Sequence, residues 1–251
     1  MLYLIEKQWI GKRVIIEKNV LKLLRRSALF RDLDEQLICD VLESAEVISF
    51  EKKKVFRDDE LKESIFIVLR GGVKSYQVNP RSGKAYTIFL FHPSDVFDII
   101  TFVDQEEHGV IFETLKESQC LRISHTALDR WVQQEPRLNQ NIISLLSRMF
   151  LQLEKNTTDL ALYDTFTRLS KLILRHVSIK PRIPSLLGSK IRLKHIENLS
   201  HEDLANLIGT AREVVSRHIK TLKEKNILET IEKKHHIVNL QSLIDHCDAN
   251  M

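Results

Sequence analysis

Residues 198–222 constrain the fold more than any other part of the chain, because they contain two consecutive helix-start signals. Ser200 is followed three residues later by Asp203, and Thr210 is followed in the same way by Glu213. Each pair matches a capping box, in which a hydroxyl and a carboxylate satisfy free N–H groups at the start of a helix. The segment therefore predicts two short helices in immediate succession.

A glycine between the two signals predicts how the helices are joined. Gly209 stands where the first helix must end, a position that favours a residue tolerating positive φ. Two short helices with a tight turn that contains glycine are typical of a helix-turn-helix motif.

The second of these helices separates into two faces when its residues are placed at about 100° intervals. The polar face holds Arg212, Glu213, Ser216, Arg217, Lys220 and Lys223, and the other face holds Val214, Val215, Ile219 and Leu222 with His218. Arginine suits the O6/N7 edge of guanine and glutamate suits the cytosine amino group, whereas a merely solvated face favours lysine and glutamate. The polar groups also crowd into the first turns, the end that enters the major groove in this motif. The pattern favours a DNA-reading helix over an ordinary solvated face.

A hairpin with a basic tip is predicted after the second helix. Residues 227–231 and 237–240 are strand-like and flank Glu232-Lys-Lys-His-His236. Such a hairpin resembles the wing of a winged helix, where Lys233, Lys234 and His235 would add affinity through phosphate contacts that carry no sequence information. A basic tip that only improves solubility is the alternative, and the sequence leaves both open.

The region from about Leu42 to Ser124 has the pattern of an antiparallel β-roll or barrel. Short β-branched and aromatic runs alternate with turn signals such as Arg70-Gly71-Gly72 and Asn79-Pro-Arg-Ser-Gly83. The runs cover residues 64–69, 73–78, 85–91 and 110–115. Frequent turns between short strands favour antiparallel pairing over βαβ units. Residues 21–42, ahead of this region, are predicted to form short helices.

A helix of about 25 residues is predicted to begin at Pro136, because the apolar residues that follow recur at helical spacing. The stripe expected at a dimer interface consists of Leu138, Ile142, Leu145, Met149 and Leu153, and further apolar residues on the helix are Ile143, Leu146 and Phe150. Packing on the domain's own core would explain one apolar face, whereas two faces favour a second partner such as another subunit. A second helix is predicted from an N-cap at Asp164, and prolines at 181 and 184 mark a linker.

Composition sets the cellular context that we expect. Three widely spaced cysteines without a C-x-x-C pattern favour reduced thiols over disulfides or a zinc site. The apolar run at the N-terminus breaks at Glu6 and Lys7, which argues against a signal peptide, and no apolar stretch reaches the roughly 18 residues of a membrane span. A cytoplasmic protein without membrane contact is expected, and its net charge of +4 is compatible with nucleic acid.

Residues 199–217 read Leu-Ser-x-Glu-Asp-Leu-Ala-x-x-x-Gly-Thr-x-Arg-Glu-x-Val-Ser-Arg and resemble the DNA-binding motif of the bacterial Crp/Fnr family. The resemblance covers nearly the whole chain and implies an α+β protein. Its expected parts are a β-roll domain of the cyclic-nucleotide-binding type with eight strands and leading helices (1–135), a dimerisation helix (136–163) and a winged helix-turn-helix (164–251). It implies base contacts from Arg212, Glu213, Ser216 and Arg217, and phosphate contacts are expected from Ser200, His201, Thr210, Lys220, Lys233 and Lys234.

The chain departs from the family's known effector sites. Ile99 stands at the position of the ribose-binding glutamate, and the loop 104–109 offers acids and a histidine in place of the Arg-Ser pair for the phosphate. Leu153 and Glu154 replace the paired hydroxyls for the purine. These changes argue against cyclic AMP, because a phosphate beside carboxylates is repelled.

An iron-sulfur cluster is not expected either. Cys120 aligns with the single internal cysteine of the iron-sulfur branch, but the N-terminal cysteine cluster of that branch is missing and a cubane cluster needs four ligands. The sequence does not identify an effector, and no metal-ligand run is present.

The predicted function is that of a homodimeric, sequence-specific regulator of transcription on double-stranded DNA with an inverted-repeat operator, and not that of an enzyme. RNA polymerase would be a further partner if the protein is an activator. The alternative is an effector-binding roll whose helix-turn-helix mediates protein contacts. The sequence does not distinguish activator from repressor, nor does it name the operator.

Overall fold

The computed structural model describes residues 6–9, 12–15, 18–106, 108–177, 191–193, 195–231 and 234–248. The chain divides into two compact units, Met1–Gln77 with Phe89–Leu151 and Val78–Ile88 with Gln152–Met251. No helix among the described residues is both long and apolar enough to span a bilayer.

The helices and strands have the following bounds. The helices are α1 (Lys18–Arg26), α2 (Glu35–Ser44), α3 (Asp58–Lys62), α4 (Ile99–Asp104), α5 (His125–Gln134), α6 (Pro136–Leu162), α7 (Thr165–Arg175), α8 (His201–Ile208), α9 (Arg212–Glu224) and α10 (Leu240–Asp248). The strands are β1 (Glu6–Trp9), β2 (Lys12–Ile15), β3 (Glu46–Phe50), β4 (Ser64–Arg70), β5 (Val73–Val78), β6 (Ala85–Phe91), β7 (Val96–Phe97), β8 (Ile111–Thr114), β9 (Ser118–Ser124), β10 (Ile191–Arg192), β11 (Leu228–Ile231) and β12 (Lys234–Ile237).

The strands from β3 to β9 form the predicted roll from two sheets, ordered β3-β9-β4-β7 and β6-β5-β8. Strand β9 pairs antiparallel with β3 and β4, β7 pairs antiparallel with β4, and β8 pairs antiparallel with β5. An isolated antiparallel bridge joins Val55 to Glu113. The described residues of the roll thus supply seven strands and one bridge, where eight strands were expected.

Two clusters of buried side chains stabilise this unit. One joins α1, α2 and α5 to one side of β4 and β9 and includes the fully buried Phe30 and Trp131. The other contains Phe56, Phe66, Phe91, Phe97 and Phe112, whose rings contact one another at centroid distances between 5.1 and 6.0 Å. Aromatic pairs at these distances add specific geometry to the hydrophobic gain.

Helix α6 confirms the predicted long helix but corrects its interface. Leu138 and Ile142 are only 0% and 6% exposed because they pack into the chain's own core, so they are unavailable to a second subunit. Leu145 and Met149 are half-buried against the same core. Leu153 is exposed. The face that remains open holds Ile143, Phe150, Leu153 and Leu160, with the half-buried Leu146.

Candidate nucleic-acid interface

The first helix of the predicted helix-turn-helix, α8, starts with the capping box that the sequence predicts. The Ser200 hydroxyl oxygen accepts a hydrogen bond from the Asp203 backbone N–H (3.1 Å) and donates one to the Asp203 carboxylate (2.6 Å). The Ser200 backbone N–H donates to the same carboxylate at 3.3 Å. These bonds satisfy donors that the first turn of a helix leaves free, and so they fix where α8 begins.

The turn between the helices depends on Gly209. Its φ of +65° lies in the left-handed region, and its N–H donates to the Ala205 carbonyl oxygen. The left-handed backbone requires glycine, and a Cβ built at this position would lie 2.9 Å from Leu160 Cδ2, so the Leu160 side chain would also have to shift. The predicted helix end is confirmed.

The predicted start of the second helix is wrong by one residue. The N-cap of α9 is Ala211, which has no side chain that can accept a hydrogen bond, so Thr210 does not form the predicted capping box with Glu213. Thr210 instead belongs to the turn, where its backbone N–H donates to the Ala205 carbonyl oxygen. The tight turn therefore takes up Thr210 at the end of α8, and α9 begins one residue later.

Helix α9 has the two faces that the wheel predicts. Val215, Ile219 and Leu222 are buried, which holds the helix on its own unit. The half-buried His218 lies 2.8 Å from the Thr165 hydroxyl through Nε2, and its ring packs edge-on to Phe166 at the start of α7.

The opposite face of α9 is exposed and carries charges with few partners. Its members are Arg212, Glu213, Ser216, Arg217 and Lys220. Within the described part of the chain, no ion pair involves the side chains of Arg212, Glu213 or Arg217, whereas Lys220 Nζ lies 3.7 Å from Glu224 Oε1. Hydrogen-bond donors and an acceptor that are already solvated and unpaired can bind an external polar edge without first breaking an internal ion pair.

The wing forms, but its second strand starts three residues earlier than predicted. β12 begins at Lys234 and pairs with both β11 and β10 in a three-stranded sheet. Lys234 is half-buried and lies opposite Ile231, and Lys233 lies outside the described residues. The two-residue alternation of the strand carries His235 and Ile237 to the buried face, so fewer basic groups are left for a tip than the sequence suggested.

The wing is joined to the helix-turn-helix by two contacts that the sequence analysis missed. Arg192 on β10 binds the Glu197 carboxylate at 2.7 and 3.0 Å, and these hydrogen bonds from the guanidinium lower the pKa of Glu197. The rings of His201 and His235 stack at a centroid distance of 6.1 Å. Period-two alternation counted back from Ile237 would have placed His235 on the buried face.

The predicted phosphate contacts therefore have unequal surroundings. His201 is half-buried at the first residue of α8, and Lys220 is exposed on α9. The Ser200 hydroxyl is engaged by Asp203, and Thr210 is half-buried in the turn. His201 and Lys220 are the better placed of these four for an external anion.

The roll segment aligned with a cyclic-nucleotide site has different groups at two of its positions. Ile99, in place of the ribose-binding glutamate, is fully buried. The buried Asp98 carboxylate accepts a hydrogen bond from the Thr101 hydroxyl (2.7 Å) and lies 2.9 Å from Nε2 of His108, which belongs to the loop 104–109. Burial raises the pKa of Asp98. An imidazole already paired with a buried carboxylate, with further acids in the loop, is a poor phosphate site.

The surroundings of Cys120 keep its thiol protonated. Cys120 is fully buried, and this burial raises the pKa of its thiol to about 12, so it stays protonated. Among the described residues, no group of three or more His, Cys, Asp or Glu side chains could hold a metal ion.

Two family models match the chain. Residues 167–245 match the family model of the Crp-like helix-turn-helix domain, and residues 48–135 match that of the cyclic nucleotide-binding domain. The chain is 23% identical over 197 residues to the CRP-like cAMP-activated global transcriptional regulator of Mycobacterium tuberculosis (78% of this chain, 85% of that protein). It is 28% identical over 216 residues to the global nitrogen regulator of Synechocystis sp. (83% and 89%).

A solved structure with the same fold is that of a CooA mutant from Carboxydothermus hydrogenoformans, with a TM-score of 0.66 at 20% identity over 82% of this chain and 89% of that chain. The fold, the two matched domains and the relatives define a DNA-binding transcription regulator rather than an enzyme. The chain belongs to the Crp/Fnr family.

Proposed function

We propose that this regulator works as a homodimer that recognises an inverted-repeat operator through the exposed face of α9. The observation that carries the proposal is the row of Arg212, Glu213 and Arg217, which is exposed and unpaired within the described residues and is held outward by the buried face of the same helix. Arginine can bind guanine O6 and N7 in a bidentate manner and glutamate can accept from cytosine N4. A two-fold dimer presents two such helices, so the operator has matching half-sites.

The open face of α6 supports the dimer. Ile143, Leu146, Phe150, Leu153 and Leu160 follow one another at steps of three, four, three and seven, which is the spacing of a coiled-coil seam. Ile143 and Phe150 are 64% and 68% exposed, although large apolar side chains rarely stay uncovered in a row along one helix face. A second copy of the same helix would cover them by two-fold symmetry.

Cyclic AMP is not the effector in this proposal. The relative from Mycobacterium tuberculosis is described as cAMP-activated, but in this chain Ile99 is buried and His108 lies against Asp98. The substitutions remove the ribose ligand and place a buried acid where the nucleotide would bring its own negative charge.

The test is a selection from random duplexes with the full-length protein, run with and without a small-molecule extract of cells. We expect enrichment of an inverted repeat with half-sites about one helical turn apart. Arg217→Ala should then relax the base preference at one symmetric pair of operator positions. The discrimination lost there should be roughly 1–3 kcal/mol, the value for a bidentate contact.

Lys220→Ala is the matched control, because Lys220 is exposed three residues further along the same helix. This variant should weaken binding to all duplexes similarly. It should also lower the slope of log affinity against log salt concentration by about one unit for each phosphate that the lysine would neutralise. Identical behaviour of the two variants would contradict the base-reading assignment. If neither selection enriches an inverted repeat, the proposal as a whole is wrong, and a protein-contact module becomes the better description.

A further inference from the structure

Two histidines from different elements stack where α8 meets the wing. His201 is the first residue of α8 and His235 lies in β12; their ring planes are inclined by 18° at a centroid distance of 6.1 Å. His235 is only 7% exposed, and its Nδ1 lies 3.0 Å from the Thr230 hydroxyl on β11. Its backbone N–H donates to the Glu197 carbonyl oxygen at 3.4 Å. His235 is therefore fixed, and it supports one face of the His201 ring.

The charged groups that act on these two rings are all basic among the described residues. Lys223 and Arg212 of α9 act on His201, and His201, Lys223 and His236 act on His235. Burial, followed by Lys223 and Arg212, lowers the pKa of His201. Burial, followed by His201, Lys223 and His236, lowers the pKa of His235 to about 4. Both rings are consequently neutral near neutral pH in the free protein.

The nearby acids do not offset this basic surrounding. On α8 itself, the Asp203 carboxylate is bound by Ser200, and Glu202 is exposed. Glu197, on the loop before α8, is bound by Arg192. The half-buried His201 thus lies in a cluster of cations that an external anion would complement.

We propose that His201 binds a DNA backbone phosphate in its protonated form, with His235 as the positioning residue that holds its ring, so that the protein takes up a proton when it binds DNA. This inference rests on the proposed function. A phosphate favours the charged imidazole by its own charge and by accepting a hydrogen bond from a ring N–H. Histidine is the side chain that can change charge in this way near neutral pH.

The direction of the pH dependence follows from proton linkage. The pKa of His201 lies below 6.5 in the free protein, and a phosphate would raise it in the complex. The complex then binds more protons than the free protein, so affinity is highest at low pH and falls as pH rises through the range between the two values. Each engaged His201 can contribute up to about a tenfold loss of affinity per pH unit.

The experiment measures binding of the full-length protein to its selected duplex by fluorescence anisotropy from about pH 5.5 to about pH 8, a range that spans the ordinary histidine pKa, at constant ionic strength. Calorimetric titrations in two buffers of different ionisation enthalpy count the protons taken up. The wild type should bind more weakly as pH rises and take up about one proton per engaged His201. His201→Gln should weaken binding at low pH and flatten the profile, whereas His201→Arg should restore tight binding without the pH dependence, because arginine stays charged.

Variants of the wing separate positioning from folding. His235→Phe keeps a flat ring under His201 and should keep the pH dependence, whereas His235→Ala removes that support and should reduce both the low-pH affinity and the proton uptake. His236→Gln, one residue further along the strand, should retain the wild-type slope. Circular dichroism of each variant checks that the fold is kept.

The outcomes distinguish this inference from the proposed function. If the wild type binds an inverted repeat but His201→Gln keeps the full pH slope, or if no proton is taken up, the inference is wrong and the proposed function stands. If the wild type binds no specific duplex, both are wrong.

Discussion

Acid should open the wing through His235 even when no DNA is present. In the folded chain the pKa of this histidine is about 4, against 6.5 for an ordinary histidine, mainly because of burial. Its folded-state pKa is lowered, so the unfolded chain binds the extra proton first. The stability that depends on neutral His235 is complete above pH 6.5 and is lost as the pH falls towards 4.

The size of the effect follows from these two values. Since each pKa unit corresponds to about 1.4 kcal/mol, the loss at pH 4 and below approaches about 3 kcal/mol. At about pH 5 the same linkage gives a loss of about 2 kcal/mol, or roughly a thirtyfold increase in the opening equilibrium. Such a change is a substantial fraction of the stability of a typical domain, which is about 5–15 kcal/mol.

The assay is amide hydrogen exchange of the full-length protein at about pH 7 and about pH 5, on either side of the ordinary histidine pKa. It is read by mass spectrometry on peptides that cover β11 and β12 and corrected for the intrinsic pH dependence of exchange. His235→Phe keeps a flat ring in the same place but cannot be protonated, so its β11–β12 peptides should lose much less protection in acid than those of the wild type. Peptides from β4, which contains no histidine, serve as the internal control. Equal losses in the wild type and in His235→Phe would refute the reasoning.

Two further predictions concern the turn of the helix-turn-helix and the dimer. Gly209→Ala should destabilise the second unit by more than Gly83→Ala. Both glycines have positive φ (+65° and +68°), which costs about 1–2 kcal/mol for an L-residue. An added Cβ at 209 would also lie 2.9 Å from Leu160, whereas nothing lies within 4 Å of a Cβ at 83. Chemical denaturation followed by far-UV circular dichroism checks the difference, and equal effects would contradict the packing argument. Phe150→Asp should shift the protein from dimer to folded monomer in sedimentation velocity. Arg148→Asp, at another exposed position of α6, should leave the dimer in place. A Phe150→Asp protein that remains a dimer would exclude the open face of α6 as the dimer interface.

Local chemistry explains why much of the helix-turn-helix could be predicted from the sequence. The Ser200–Asp203 capping box and the left-handed Gly209 depend on residues within one turn of each other, so spacing alone identifies them. The two faces of α9 follow from helical periodicity in the same way. Spacing alone gives the wrong result at Thr210. Its spacing from Glu213 matches a capping box, but the N-cap of α9 is Ala211, and the Thr210 backbone N–H donates to the Ala205 carbonyl oxygen at the end of α8.

Contacts between distant segments explain what the sequence analysis missed. The stack of His201 on His235 depends on the register of β12, a strand whose start was predicted three residues too late. Because side chains alternate along a strand, extending β12 back from Ile237 carries His235 to the same buried face. His235 consequently passes from an expected solvent-exposed tip to a buried site.

The two apolar faces of α6 were also recognised in the sequence but assigned to the wrong partners. Periodicity shows that two faces exist, but only the folded unit shows that Leu138 and Ile142 are covered by the chain itself while Ile143 and Phe150 are not. A charge at Leu138 would therefore disrupt the core of the roll, whereas a charge at Phe150 acts on a surface that is exposed in the single chain. In the proposed dimer, folding and dimerisation depend on different residues of one helix, so Phe150→Asp should give a folded monomer against which the contribution of the second subunit to DNA affinity can be measured.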